Sequence, residues 1–193
     1  MLSATEIARG TQGAVRVLQL DPAAPFQYDN TPEACLRSFR VMALAAPLYV
    51  FYILIHYAKF EAAASEFEVL LMESLRYIVD WLLYPVLFYE IARRRGWLDS
   101  YPRYIATLNW INLPAIIVAV IGTALATVAP SPLSGFLIIA LQGLFFYWFL
   151  AATRLALGVG WPMAVLLLLI NWLPMLLLSL LVDRVLGVTK IAG

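Results

Sequence analysis

The chain has 193 residues, 63% hydrophobic and 13% charged, with a formal net charge of +1. A soluble domain carries roughly 25% charged and about 45–50% apolar residues, so this composition belongs to an integral membrane protein and supplies no basic field for nucleic acid. Cys35 and His56 are the only residues of their kinds, which excludes an internal disulfide and a Cys/His metal site of about four ligands; neither metal nor cofactor is expected.

Residues 5–21, TEIARGTQGAVRVLQLD, set Ile7, Val15, Val17, Leu18 and Leu20 among polar residues. This is the pattern of an amphipathic helix with its apolar face in the headgroup boundary, although Gly10 and Gly13 weaken it. The mixture of Glu6, Arg9 and Arg16 with apolar residues gives no continuous run of the kind a cleavable signal needs. Asp21-Pro22 ends the segment, and a loop rich in turn formers follows to Pro32. Thr31, Pro32, Glu33 and Ala34 then read as a cap, an N1 proline and an acidic first turn, and that helix is expected to run straight into the membrane. Residues 1–32 form the cytoplasmic N-terminal segment in this reading.

A bilayer core takes about 20 apolar residues per helix. Five stretches qualify: 41–58, 69–91, 104–128, 133–157 and 161–182, separated by KFEAAASEFE, RRRGWLDSYPR, APSPLS and GVGWP. The expected fold class is therefore all-α, a polytopic membrane helical bundle of five transmembrane helices over residues 33–187, with a short tail at 188–193. Arg37 and Arg40 precede the first span, and Arg93, Arg94, Arg95 and Arg103 flank the loop after the second. The loop after the first sets Lys59 against Glu61, Glu66 and Glu68. Positive residues stay inside, so the N-terminus is expected in the cytoplasm and the C-terminus outside, in a bacterial inner membrane. Arg154 agrees with this orientation; Asp183, Arg184 and Lys190 fall outside, a mild conflict.

The second span carries MESLRYIVDW, with Glu73, Arg76 and Asp80 on one side of the helix. Asp80 lies near the midplane, about 16 Å in at roughly 1.5 Å per residue, and the spacings allow Arg76 to pair with both carboxylates. Residue counting brings Gln142 and Asn171 to the depth of Asp80, His56 to that of Glu73, and Glu90 together with Arg154 at the cytoplasmic ends as a second candidate pair. Two readings stand: the polar groups line a proton or solute route, or they join helices by hydrogen bonds. Asn109-Trp110 before Pro114, and Asn171-Trp172 before Pro174, read as kinks in which an asparagine amide helps satisfy a carbonyl freed by proline. Ala115, Ala119, Gly122 and Thr123, continued by Thr127, offer a face of small residues for close helix packing, internal or on a partner.

No Walker loop, G-x-S-x-G or H-E-x-x-H is present, and an enzyme is not expected. The stretches GAVRVLQLDP, FQYDNTPEACLRSFRVMALAAPLYV, RYIATLNWINLP and YWFLAATRLALGVGWPMAVLLLLINW resemble small, uncharacterised five-span inner-membrane proteins of proteobacteria, grouped loosely with the Yip-type family. The resemblance implies a cytoplasmic N-terminus and five helices, and brings no catalytic residue. The function expected is that of an accessory or scaffold subunit in the lipid bilayer, associating with other membrane proteins or with itself. The alternative is a small transporter or ion- or proton-conducting protein that uses the polar stripe.

Overall fold

The computed structural model describes residues 2–58 and 60–190. The chain runs through α1 (Ala4–Leu18), a 3₁₀ turn (Ala24–Gln27), α2 (Pro32–Ser38), α3 (Arg40–Tyr57), β1 (Phe60–Glu61), α4 (Glu66–Arg95), a second 3₁₀ turn (Leu98–Ser100), α5 (Tyr101–Val128), α6 (Ser131–Leu157), α7 (Trp161–Leu186) and β2 (Thr189–Lys190). It is an all-helical, multi-pass membrane protein. Among the described residues, four stretches are long and apolar enough to cross a bilayer: Pro32–Tyr57, Leu98–Val128, Ser131–Leu157 and Trp161–Leu186. The expected second span is α4, 30 residues long, whose mid-helix Glu73, Arg76 and Asp80 keep it out of that apolar set. Large apolar side chains such as Val86, Phe136, Ile139 and Leu177 stand exposed on the outside of the helices, the surface a bilayer covers.

Local chemistry sets the helix ends. Ser3 and Glu6 form a reciprocal capping box at α1, and Ser65 and Glu68 form another at α4. Thr31 accepts from the Ala34 amide as the N-cap of α2, with Pro32 in the first turn. That helix leads on into α3: the ladder is interrupted only at Phe39, whose backbone stays helical (φ −63°, ψ −15°), and α2 and α3 together make the span Pro32–Tyr57. Pro47, Pro85, Pro114 and Pro174 lie within their helices, whereas Pro162 opens α7.

The two ends of the bundle are tied differently. At one, the Asn30 amide donates to the Asp99 carbonyl and its oxygen accepts from the Arg103 amide at 3.1 Å. The N-terminal loop is thereby fastened to the α4–α5 turn. At the other, β1 and β2 pair antiparallel, Phe60 opposite Lys190 and Glu61 opposite Thr189. The amides of Ala63 and Ala64 both donate to the Leu186 carbonyl. The sequence pattern does not foretell this small ribbon, because two-residue strands carry no periodicity. Lys59, counted in the charge argument, and the end of the tail, 191–193, lie outside the described residues.

The N-terminal helix departs most from expectation. Its buried side is Gly10, Gly13, Ala14 and Val17, while Val15 and Leu20 are exposed. Ala14 and Val17 pack with Ile111 of α5 and with Trp148, Ala151 and Ala152 of α6. This face is therefore applied to protein, not to lipid headgroups. The glycines permit it: a Cβ on Gly10 would fall 2.3 Å from the Trp110 ring, and one on Gly13 would fall 2.6 Å from the Tyr28 hydroxyl. Tyr28 in turn donates to the Gly10 carbonyl at 2.8 Å. Leu20 closes the helix at φ +55°, where the Asp21 amide reaches back to the Arg16 carbonyl and the Leu20 amide to Val17. That is the arrangement glycine most often supplies.

Gly10→Ala should cost about 1–3 kcal/mol by overpacking against Trp110. Gly143→Ala in α6, where a Cβ meets nothing within 4 Å, should instead gain up to about 1 kcal/mol from helix propensity. Thermal unfolding of the two variants in detergent reads the difference. Acid should loosen α1 before the bundle. The backbone amide of Ser3 holds Glu6 below its ordinary 4.5, and the backbone amide of Ala23 with the Arg16 guanidinium holds Asp21 below 3.8. Carboxylates held low stabilise at neutral pH and lose that contribution as pH falls through their folded values. Amide hydrogen exchange in α1 should thus accelerate below about pH 4 while that of α5 stays protected.

Candidate functional site

The α4 charges divide into two groups with different surroundings. Glu73 is 1% exposed and fully engaged. Arg76 pairs with it at 3.0 Å, one turn along the helix, and the hydroxyls of Tyr49 and Tyr57 on α3 each donate to it at 3.0 Å. The guanidinium also donates to Tyr49 at 3.0 and 3.2 Å and to Ser179 of α7 at 3.3 Å. One ion pair thus joins three helices, and every strong polar atom in it has a partner.

Asp80 is not part of that group. The expectation that Arg76 would pair with both carboxylates is corrected here: Arg76 turns to Glu73, and among the described residues Asp80 enters no ion pair and its buried Oδ1 accepts no hydrogen bond. The reason lies in helix geometry. Side chains lean toward the helix N-terminus, so a guanidinium reaches the preceding turn more readily than the following one. Tyr49 and Ser179 hold it there.

Asp80 opens onto a cavity of about 350 Å³ with walls from all five long helices, α3 to α7. Gln142 on α6 and Asn171 on α7, placed at its depth by residue counting, line the same cavity, as does Asn112 of α5. The rest of the wall is aromatic and aliphatic, including Tyr77, Trp81, Phe146, Phe149 and Trp172. Trp148 also lines it and carries an indole N–H with no partner among the described residues. Among the described residues, no lysine, arginine or histidine contributes to the wall. The arrangement can hold a small polar or positively charged molecule between the helices.

The other expected residues fall elsewhere. His56 stacks on Phe60 at 4.7 Å and meets the edge of Tyr57 at 5.4 Å. It stands one ring away from Glu73 and outside the cavity. The second candidate pair does not form: Glu90 takes Arg93 at 3.0 Å and Arg94 at 2.7 Å, both on its own helix, while Arg154 lies over the Trp161 ring at 3.9 Å. Nearby partners of the same helix win over a partner two helices away. Gly122 packs inward, because a Cβ there would come within 2.6 Å of Leu141 on α6. Ala115 and Ala119 line the cavity, and the Thr127 hydroxyl bonds back to the Thr123 carbonyl at 2.8 Å. Asn109 does not serve a proline-freed carbonyl; its amide donates to Ser38 at 2.8 Å. The sequence reading missed Tyr49, Tyr57, Ser179 and Asn112. The tyrosines at 49 and 57 lie about two helical turns apart on one face, a signal that could have named them as partners for a buried carboxylate.

Comparison of the chain with family models, curated proteins and solved structures finds no match in any of the three.

Arg76→Leu should destabilise by about 3–5 kcal/mol, since it leaves Glu73 buried without its counter-charge. Adding Glu73→Leu should recover most of that loss, whereas adding Asp80→Leu should recover little. Unfolding of the three variants in detergent separates the pairings; equal recovery by both second changes would refute the assignment.

Proposed function

We propose that the protein is a small carrier of the bacterial inner membrane in which α4 is a fifth span and the central cavity is the solute site. The observation that carries this reading is Asp80: a residue in the wall of a cavity shared by five helices, on a helix whose other two mid-helix charges are paired, with a buried Oδ1 that has no partner among the described residues. A buried charge is costly in a bilayer, and one left open to a cavity marks a substrate or ion pathway more often than a structural contact. Tying charges into helix contacts, as Glu73 and Arg76 do, would not require a cavity.

The fifth span is supported by the chain's connections. The α4–α5 turn is fastened to the N-terminal loop before α3, while the start of α4 lies beside the end of α7. An α4 of 30 residues therefore runs from one end of the bundle to the other. Arginines 93–95 at its far end favour a cytoplasmic N-terminus and an external C-terminus, and the Yip-type resemblance is compatible with that orientation.

The accessory-subunit reading has its own support at the same end. A cleft of about 300 Å³ between α1, the loop and α2 is lined by Glu6, Arg9, Asp29, Glu33 and Arg37, a charged surface suited to a protein partner. Association through it predicts a stable co-purifying membrane protein in mild detergent, lost on reversing the charge of Arg9 and Glu33.

Two measurements test the main reading. In a Cys35→Ser background, single cysteines at Glu66 and Arg95 should label from opposite sides with a membrane-impermeant maleimide; labelling from one side would remove the fifth span. In proteoliposomes, a panel of protons, potassium, ethylammonium and glycerol should include a species that crosses faster than in empty vesicles. Asp80→Asn should cut that flux by at least about tenfold, the change expected for roughly 1.4 kcal/mol of lost interaction. Wild-type vesicles no faster than empty ones for the whole panel would overturn the carrier reading.

A further inference from the structure

We infer that the bundle cavity binds an organic monocation, an amine or quaternary ammonium with apolar substituents, whose charge docks at Asp80. This rests on the solute-cavity reading above and gives it a ligand class.

The charge comes first. Among the described residues Asp80 is the one carboxylate in the wall, with no lysine, arginine or histidine beside it, and its Oδ1 has no hydrogen-bond partner. Arg76, the cation nearest in sequence, is committed to Glu73, Tyr49 and Ser179 and does not line the cavity. An anionic ligand would meet only repulsion from an ionised Asp80. A cation supplies the counter-charge that the protein itself withholds.

The wall then selects the kind of cation. Tyr77, Trp81, Phe146, Phe149 and Trp172 surround the site. Aromatic faces attract ammonium groups, including quaternary ones that cannot donate hydrogen bonds. A divalent metal would instead ask for six or so oxygen ligands, several of them carboxylates, and no group of three His, Cys, Asp or Glu side chains is gathered among the described residues. The amides of Asn112, Gln142 and Asn171 can orient a polar substituent. A volume of about 350 Å³ lies at the lower end of small-ligand cavities, roughly 300–1,000 Å³, and suits one small molecule, not a lipid.

Isothermal titration of the purified full chain in detergent, with choline, tetraethylammonium and the uncharged choline isostere 3,3-dimethylbutan-1-ol, tests the inference. At least one of the two cations should bind, and choline, if it is that one, should bind at least about tenfold more tightly than its isostere. Asp80→Asn should weaken the cation by a similar factor and leave the isostere unchanged. Asp80→Glu, which keeps the charge, should retain binding within a few-fold and guards against misfolding of the first variant. Trp172→Phe should preserve affinity and Trp172→Leu should lower it. Binding of neither cation, equal affinity for choline and its isostere, or cation affinity unchanged in Asp80→Asn would overturn the inference. Asp80-dependent cation binding without flux in vesicles would uphold it and remove the carrier reading. Flux of glycerol without any cation binding would do the reverse.

Discussion

The structure depends on how one ion pair is buried among helices. Taking a charged side chain out of water costs several kcal/mol unless it is paired and hydrogen-bonded. Glu73 and Arg76 offset that by pairing with each other and by drawing two tyrosines and a serine from neighbouring helices. The hydroxyls come from α3 and α7, so satisfying the charges also ties α4 to both of those helices. Two further polar contacts extend the attachment of α4. The Tyr77 hydroxyl donates to the Met42 carbonyl at 2.6 Å, and a buried hydroxyl chain runs from Tyr84 through Tyr104 to Thr153 on α6. The least apolar long helix is thus held by polar bonds where its neighbours rely on packing.

That arrangement gives Asp80 its distinct character. Because Arg76 is turned back onto Glu73, the next carboxylate along the helix forms no ion pair among the described residues. The same ring of helices that satisfies Glu73 leaves a cavity one turn deeper, with aromatic walls and amides and a single acid. The two carboxylates sit seven positions apart on one face, and their difference is a matter of neighbours alone.

The N-terminal helix shows a second constraint, close packing. Gly10 lets the α1 backbone approach Trp110, and Tyr28 completes the contact by bonding to the Gly10 carbonyl. Ile111 and Trp148 belong both to the cavity wall and to the cluster under α1. The N-terminal segment therefore supports the cavity from the side of the α4–α5 turn, and its position bears on the shape of the site.

By itself the sequence determined the class of protein, the long helices to within a few residues at most ends, and the depth at which Asp80, Gln142 and Asn171 would meet. These follow from composition, from runs of apolar residues bounded by caps and breakers, and from a fixed rise per residue. Tertiary structure alone decided which partners the charges took, that α1 would bury its glycine side on protein, that Glu90 and Arg154 would each find a nearer companion, and that strands of two residues would join the α3–α4 loop to the C-terminal end. The physical reason is the same in each case. Periodicity says which residues share a face, but hydrogen bonds and close contacts are settled by distances of a few tenths of an ångström between elements far apart in the chain, and no pattern along one helix contains them.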